Sequence, residues 1–181
     1  MRRRLAIVGV VVAAAAGLAL GLLLAGGGSA GQRPGVVTTS RPLPTVAGTT
    51  IDGGTFSASE YRGHVLVLNF WNPYCAPCRA EATVLDLAQG ELGREGVVIA
   101  GVLFSNKSFP HDVAAARRFA RELGERYPTV DDPGGDLAAA FGIPGIPTTV
   151  IADGAGRIRY EVFGALRRGE VEGLVRRLRA R

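Results

Sequence analysis

The chain has 181 residues, 47% of them hydrophobic, which is room for one ordinary domain that can bury a core without covalent staples. It has only two cysteines, Cys75 and Cys78, and two histidines; that excludes a disulfide-dense scaffold and falls short of a four-ligand zinc site with closely spaced histidines. The net charge of +5 does not indicate nucleic acid: four of the 21 Lys and Arg residues (Arg2, Arg3, Arg4, Arg33) precede residue 41, and the remaining 17 face 16 acids.

Leu5 to Ala25 is a run of 21 residues without a charge, long enough to cross a hydrocarbon core of about 30 Å as a helix. With Arg2 to Arg4 held on the cytoplasmic side, the rest of the chain is expected outside. The length favours an uncleaved anchor over residues 1–25. The competing reading is a secretory signal cut near Gly28-Ser29-Ala30. Residues 26–41, rich in Gly, Ser, Thr and Pro, read as a flexible linker, and the folded domain is expected over 42–181.

Within that domain "TIDGGTF" (50–56) reads as a hairpin, and "SASEYRG" (57–63) as a short helix with Ser57 and Glu60 in capping-box spacing. "HVLVLNFW" (64–71) is a near-continuous apolar run, as in a strand covered on both faces, and a helix follows from about Cys75 to Leu92. "GVVIAGVLF" (96–104) repeats the buried-strand pattern. Asp112 caps a helix striped by Val113, Ala116, Phe119, Ala120 and Leu123 that stops at Gly124. A short helix over 135–141, a hairpin formed by 148–153 and 157–164, and a final helix striped by Val171, Leu174, Val175 and Leu178 complete the order. Strands alternating with helices make an α/β fold with helices on both faces of the sheet. The arginines of the last helix read as a solvated face with cations near its C-terminal end.

The two cysteines stand between a buried strand and a helix. A thiol does redox chemistry as its thiolate, and the first turn of a helix, with free N–H groups and the positive end of the dipole, favours that anion at Cys75. Cys78, one turn in, is the resolving thiol. Pro77 lacks an N–H and presets φ for the first turn.

The stretches "EYRGHVLVLNFWNPYCAPCRAE", "DGGTFSASEYRG", "GVVIAGVLF", "FGIPGIPTTVIAD" and "GAGRI" together resemble the TlpA/ResA group of membrane-tethered thiol-disulfide oxidoreductases, with DsbE/CcmG-like relatives. The resemblance implies a thioredoxin-like fold, a central mixed β-sheet flanked by helices, preceded by one N-terminal transmembrane helix. It departs from the group's pattern at Tyr74, where tryptophan is usual, and at Thr83, where proline is frequent. It also implies roles: Glu81, three residues after Cys78 and so on the same helix face, is the acidic residue that relays the resolving thiol's proton. Asn69 stands where thioredoxin has a buried aspartate. Pro147 is implied to be the cis-proline facing the cysteines, presenting the Ile146 backbone to a bound peptide. Tyr74 and Trp71 join Ile146 and Pro147 at the substrate face, with Trp71 and Phe70 packing beneath the site.

The expected partners are exported proteins carrying disulfides or thiols and a membrane electron-transfer partner that recycles the cysteines; no cofactor is implied. Cytochrome c maturation is one common task of the resembling group, and no residue here selects it. Donation of disulfides on the same fold, copper binding by the soft cysteine pair and a passive scaffold disulfide are the competing readings.

Overall fold

The structure is a computed structural model that describes residues 35–124 and 126–180. The expected transmembrane helix and the first part of the linker lie outside these residues. No described helix is long and apolar enough to cross a membrane.

A six-stranded mixed sheet forms the centre, in the order β1-β8-β7-β4-β5-β6. Its strands are β1 (Gly35–Pro42), β4 (Val65–Trp71), β5 (Val97–Leu103), β6 (Thr129–Asp131), β7 (Thr148–Ala152) and β8 (Arg157–Phe163). β4, β5 and β6 run parallel, while β7, β8 and β1 add antiparallel pairs. The helices are α1 (Ala76–Leu92), α2 (Val113–Leu123), α3 (Asp136–Phe141) and α4 (Glu170–Arg179). β2 (Ala47–Thr49) and β3 (Thr55–Ser57) form the expected small hairpin.

β4 shows why its sequence has no polar alternation. Val65 and Val67 face a core shared with Leu85, Ala88 and Leu92 of α1 and Val171, Leu174 and Val175 of α4. Leu66, Leu68 and Phe70 face the opposite core, with Ala138 and Phe141 of α3. Every residue of the strand is buried, so both pleat faces are apolar apart from Asn69. α2 ends as its sequence suggests, on Gly124 in the left-handed region at φ 66°, its N–H turned back to the carbonyls of Ala120 and Arg121.

Three expectations are corrected. Residues 35–41, read as part of the linker, belong to edge strand β1, which pairs with β8 from Gly35↔Phe163 to Pro42↔Arg157 with a register shift between Thr38 and Arg41. Arg41 pins it by donating to Glu161 (2.9 Å) and to the Phe141 carbonyl (2.8 Å). The Val-Thr-Ser composition looked like a tether because this strand is mostly solvent-exposed and held by backbone pairing. β6 was not anticipated: three residues are too few to show a period. The capping box does not form, since the short helix over Ala58–Tyr61 is 3-10 and the Ser57 hydroxyl pairs with Ser59 instead.

Gly101 on β5 is required by close approach. A Cβ there would lie 2.6 Å from Trp71 Nε1 and 2.4 Å from Thr129 Oγ1, both inside the core. Gly101→Ala should therefore lower stability by about 1–3 kcal/mol through overpacking. Gly173→Ala, in α4 with space around it, should raise stability by about 0.5–1 kcal/mol. Urea denaturation followed by fluorescence of Trp71, the chain's one tryptophan, measures both, and equal effects would refute the packing account.

Candidate active site

β4 ends at Trp71 and the chain turns through Asn72, Pro73 and Tyr74 into α1. The turn is locked by the fully buried Asn72. Its side-chain amide donates to the carbonyls of Phe104 (2.8 Å) and Pro110 (3.1 Å), its Oδ1 accepts from Tyr74 N (3.0 Å), and its backbone carbonyl accepts from Cys75 N (3.0 Å). Tyr74, 54% exposed, donates its hydroxyl to Asp112 Oδ2 (2.6 Å), whose Oδ1 caps α2 through Ala115 N (2.8 Å). This hydrogen bond holds the Asp112 carboxyl below its usual range and pushes the Tyr74 phenol up. The turn carrying the first cysteine is thus tied to the segment between β5 and α2 and to the cap of α2.

Cys75 is the N-cap residue of α1, and Cys75 and Cys78 are joined by a disulfide. Cys75 Sγ accepts the Cys78 N–H (3.2 Å), the bond an N-cap serine or aspartate would accept. Exposure does not distinguish the two, at 3% and 2%. Position does: in the reduced state that N–H and the helix end favour an anion on Cys75. Below the pair Trp71 stacks on Phe119 of α2 (centroids 4.8 Å apart) and shares a core with both cysteines, Ala82, Leu103 and Ala116. Trp71, expected at the substrate face, is buried, so it supports the site from beneath. Arg79, the nearest cation past the pair, lies 4.8 Å over the Phe119 ring and 3.6 Å from Glu122.

Glu81 projects from the same face of α1 and is 1% exposed. Its Oε1 accepts from Asn69 Nδ2 (2.8 Å) and its Oε2 from Leu166 N (2.7 Å). Burial pushes its carboxyl up to about 7; the donors from Leu166 and Asn69 oppose that rise and Glu170 adds to it. A carboxyl balanced near neutrality can take and return a proton at physiological pH. The Ile146–Pro147 bond is cis. Pro147 is buried, its carbonyl accepts from Gly164 N (3.0 Å), and Ile146 packs, partly exposed, against the cluster that holds the cysteines.

Asn72, Thr149 and Leu166 are parts of this arrangement that sequence reasoning did not single out. Asn72 had a usable signal, an amide at the exit of a buried strand; a backbone N–H from residue 166 leaves no trace in sequence. His111 pairs with Asp131 (2.6 Å), His64 stands edge-on to Tyr61, and among the described residues no three metal-ligating side chains converge.

The AhpC/TSA family model matches residues 39–161. Among characterised proteins, the thiol:disulfide interchange protein HelX of Rhodobacter capsulatus is 36% identical over 61% of this chain, and the thiol-disulfide oxidoreductase ResA of Halalkalibacterium halodurans 32% identical over 60%. The matches span 59% and 58% of those two relatives, less than two thirds of their length. A secreted thiol-disulfide isomerase from Corynebacterium glutamicum has a similar structure (TM-score 0.69, 25% identity, 81% of this chain and 91% of that one). So does a secreted disulfide oxidoreductase of Mycobacterium tuberculosis homologous to DsbE of E. coli (TM-score 0.61, 25% identity, 71% and 92%).

The folded Glu81 carboxyl holds its proton more tightly than the unfolded one, so its contribution to stability is full below pH 4.5 and lost as pH rises through about 7. The oxidised wild type should lose about 3 kcal/mol across that window, while Glu81→Gln should show no such fall. Denaturation at a series of pH values tests this; parallel profiles for the two proteins would contradict the burial assigned to the carboxyl.

Proposed function

The chain belongs to the AhpC/TSA family, and from that premise we propose that it is an exported thiol-disulfide oxidoreductase that reduces disulfides of exported proteins through Cys75 and Cys78. The observation that carries this reading is the N-cap geometry of Cys75, with Cys78 N–H on its sulfur and a buried carboxyl on the same helix face.

In the reduced protein the Cys75 thiolate attacks one sulfur of a substrate disulfide. The substrate S–S bond breaks, one substrate sulfur leaves as a thiolate, and Cys75 holds the other in a mixed disulfide. Cys78 then gives its proton to Glu81 and attacks Cys75 Sγ, releasing the second substrate sulfur and closing the Cys75–Cys78 disulfide. Two electrons pass to the substrate. Proton transfer from Glu81 to the departing thiolate restores the carboxylate. A membrane electron-transfer partner returns the dithiol state, and an N-terminal anchor holds the domain on the extracytoplasmic side. Tyr74, Ile146 and Pro147 form the face that meets the substrate.

Three features support reduction over disulfide donation. Ala76 and Pro77 bring no cation to the thiolate. Arg79 is engaged by Phe119 and Glu122. Glu81, when ionised, opposes a second anion at Cys78. The reduction potential is accordingly expected nearer to about −270 mV, a reductant's value, than to about −120 mV, a strong oxidant's. Equilibration with dithiothreitol or glutathione measures it, and a value above about −170 mV would assign the chain to disulfide donation. Cys78→Ser should accumulate mixed disulfides with exported proteins and Cys75→Ser should trap none; equal trapping by both would mean that the nucleophile is misassigned.

A further inference from the structure

Asn69 sits in the middle of β4, 2% exposed, where its neighbours Leu68 and Phe70 are apolar. A buried amide needs a reason, because each unmet polar group costs about 1–3 kcal/mol. Its Nδ2 carries two hydrogens, and both are placed: one on Glu81 Oε1 (2.8 Å), the other on Thr149 Oγ1 (3.0 Å). Thr149 is its antiparallel partner on β7, two residues after Pro147. The amide orientation is fixed by its surroundings, since a reversed Asn69 would turn its oxygen toward an ionised Glu81. The second Glu81 oxygen is held from the far side by Leu166 N (2.7 Å), in the segment leading to α4.

We propose that Asn69 and Thr149 are positioning residues for Glu81: the Thr149 hydroxyl aims the Asn69 amide, and the amide fixes the carboxylate and sets the pH at which it exchanges its proton. A donor with no acidic proton of its own can only favour the ionised carboxylate, so Asn69 works against burial. The groups that act on Glu81 are few: the Leu166 N–H before α4 and the neutral Asn69 amide of β4 donate to it, and Glu170 at the start of α4 repels it, while Thr149 of β7 acts through Asn69; Cys75 and Cys78 at the start of α1 are joined in the disulfide and do not titrate. Aspartate at position 69 would be isosteric and opposite in effect, taking away both donors and setting a second carboxyl against the first.

This inference rests on Glu81 being the proton carrier, and the test separates the two claims. Carboxyl carbon NMR of the oxidised domain, labelled at glutamate, follows Glu81 directly. Asn69→Ala should move its midpoint upward by about one unit, a tenfold gain in proton affinity. Thr149→Val should move it the same way by less, Thr149→Ser should restore the wild-type value, and Asn69→Asp should give a two-step, coupled titration. Should Asn69→Ala fail to fold, Thr149→Val against Thr149→Ser carries the test alone. A Glu81 midpoint that stays in place or falls in the variants that fold would overturn the assignment. The pH profile of disulfide exchange in Glu81→Gln addresses the other claim: a profile identical to wild type would remove Glu81 from proton transfer while leaving any NMR shift in the Asn69 variant as evidence of positioning.

Discussion

A carboxylate shut away from water must have its charge answered or surrender it, and Glu81 is poised between the two. Burial pushes it toward the neutral acid; an amide from β4 and a backbone N–H from residue 166 pull it back. That balance requires β4, α1 and the segment before α4 to meet within hydrogen-bond distance of one side chain. The fold around the cysteine pair can be understood as the framework that makes this meeting possible. Apolar packing of α1 and α4 in one core brings the two helices together, and the Glu81 carboxylate reaches from α1 to β4 and to the segment before α4.

The other requirement is that the N-terminus of α1, which carries the disulfide, be held in place. Asn72 anchors the turn from below, Tyr74 ties it sideways to the cap of α2, and Trp71 stacked on Phe119 gives the pair a rigid floor. Gly101 belongs to the same device, because the indole occupies the space that a side chain at that position would claim. Under the proposed function, preorganisation of this kind would leave thiol–disulfide exchange with little motion to wait for.

How much of this could be read in the sequence depended on whether each feature was local. β4 and β5 were legible because burial on both faces leaves an apolar run that competes with few other readings. α2 was legible because its stripe, cap and terminal glycine agree. The cysteine pair was legible by its place between a buried strand and a helix start, whereas Glu81, a charged residue on a helix, was legible only through the family resemblance. β1 was not, since an exposed edge strand depends on β8, more than a hundred residues away, and has the composition of a linker. The capping box failed because the segment closes as a single 3-10 turn and the Ser57 hydroxyl pairs with that of Ser59. Asn69 was noticed for its position, yet its two hydrogen-bond acceptors lie 12 and 80 residues along the chain, and no local pattern encodes such a meeting.

The path of β1 has one more implication. Gly35 pairs with Phe163, Phe163 with Thr148, and Thr148 with Phe70, so the first described residue stands at the same end of the sheet as the disulfide, three strands across, about 14 Å. A label carried by residue 35 would therefore sit beside the disulfide and not behind it, close enough to sense whether the Cys75–Cys78 bond is open or closed.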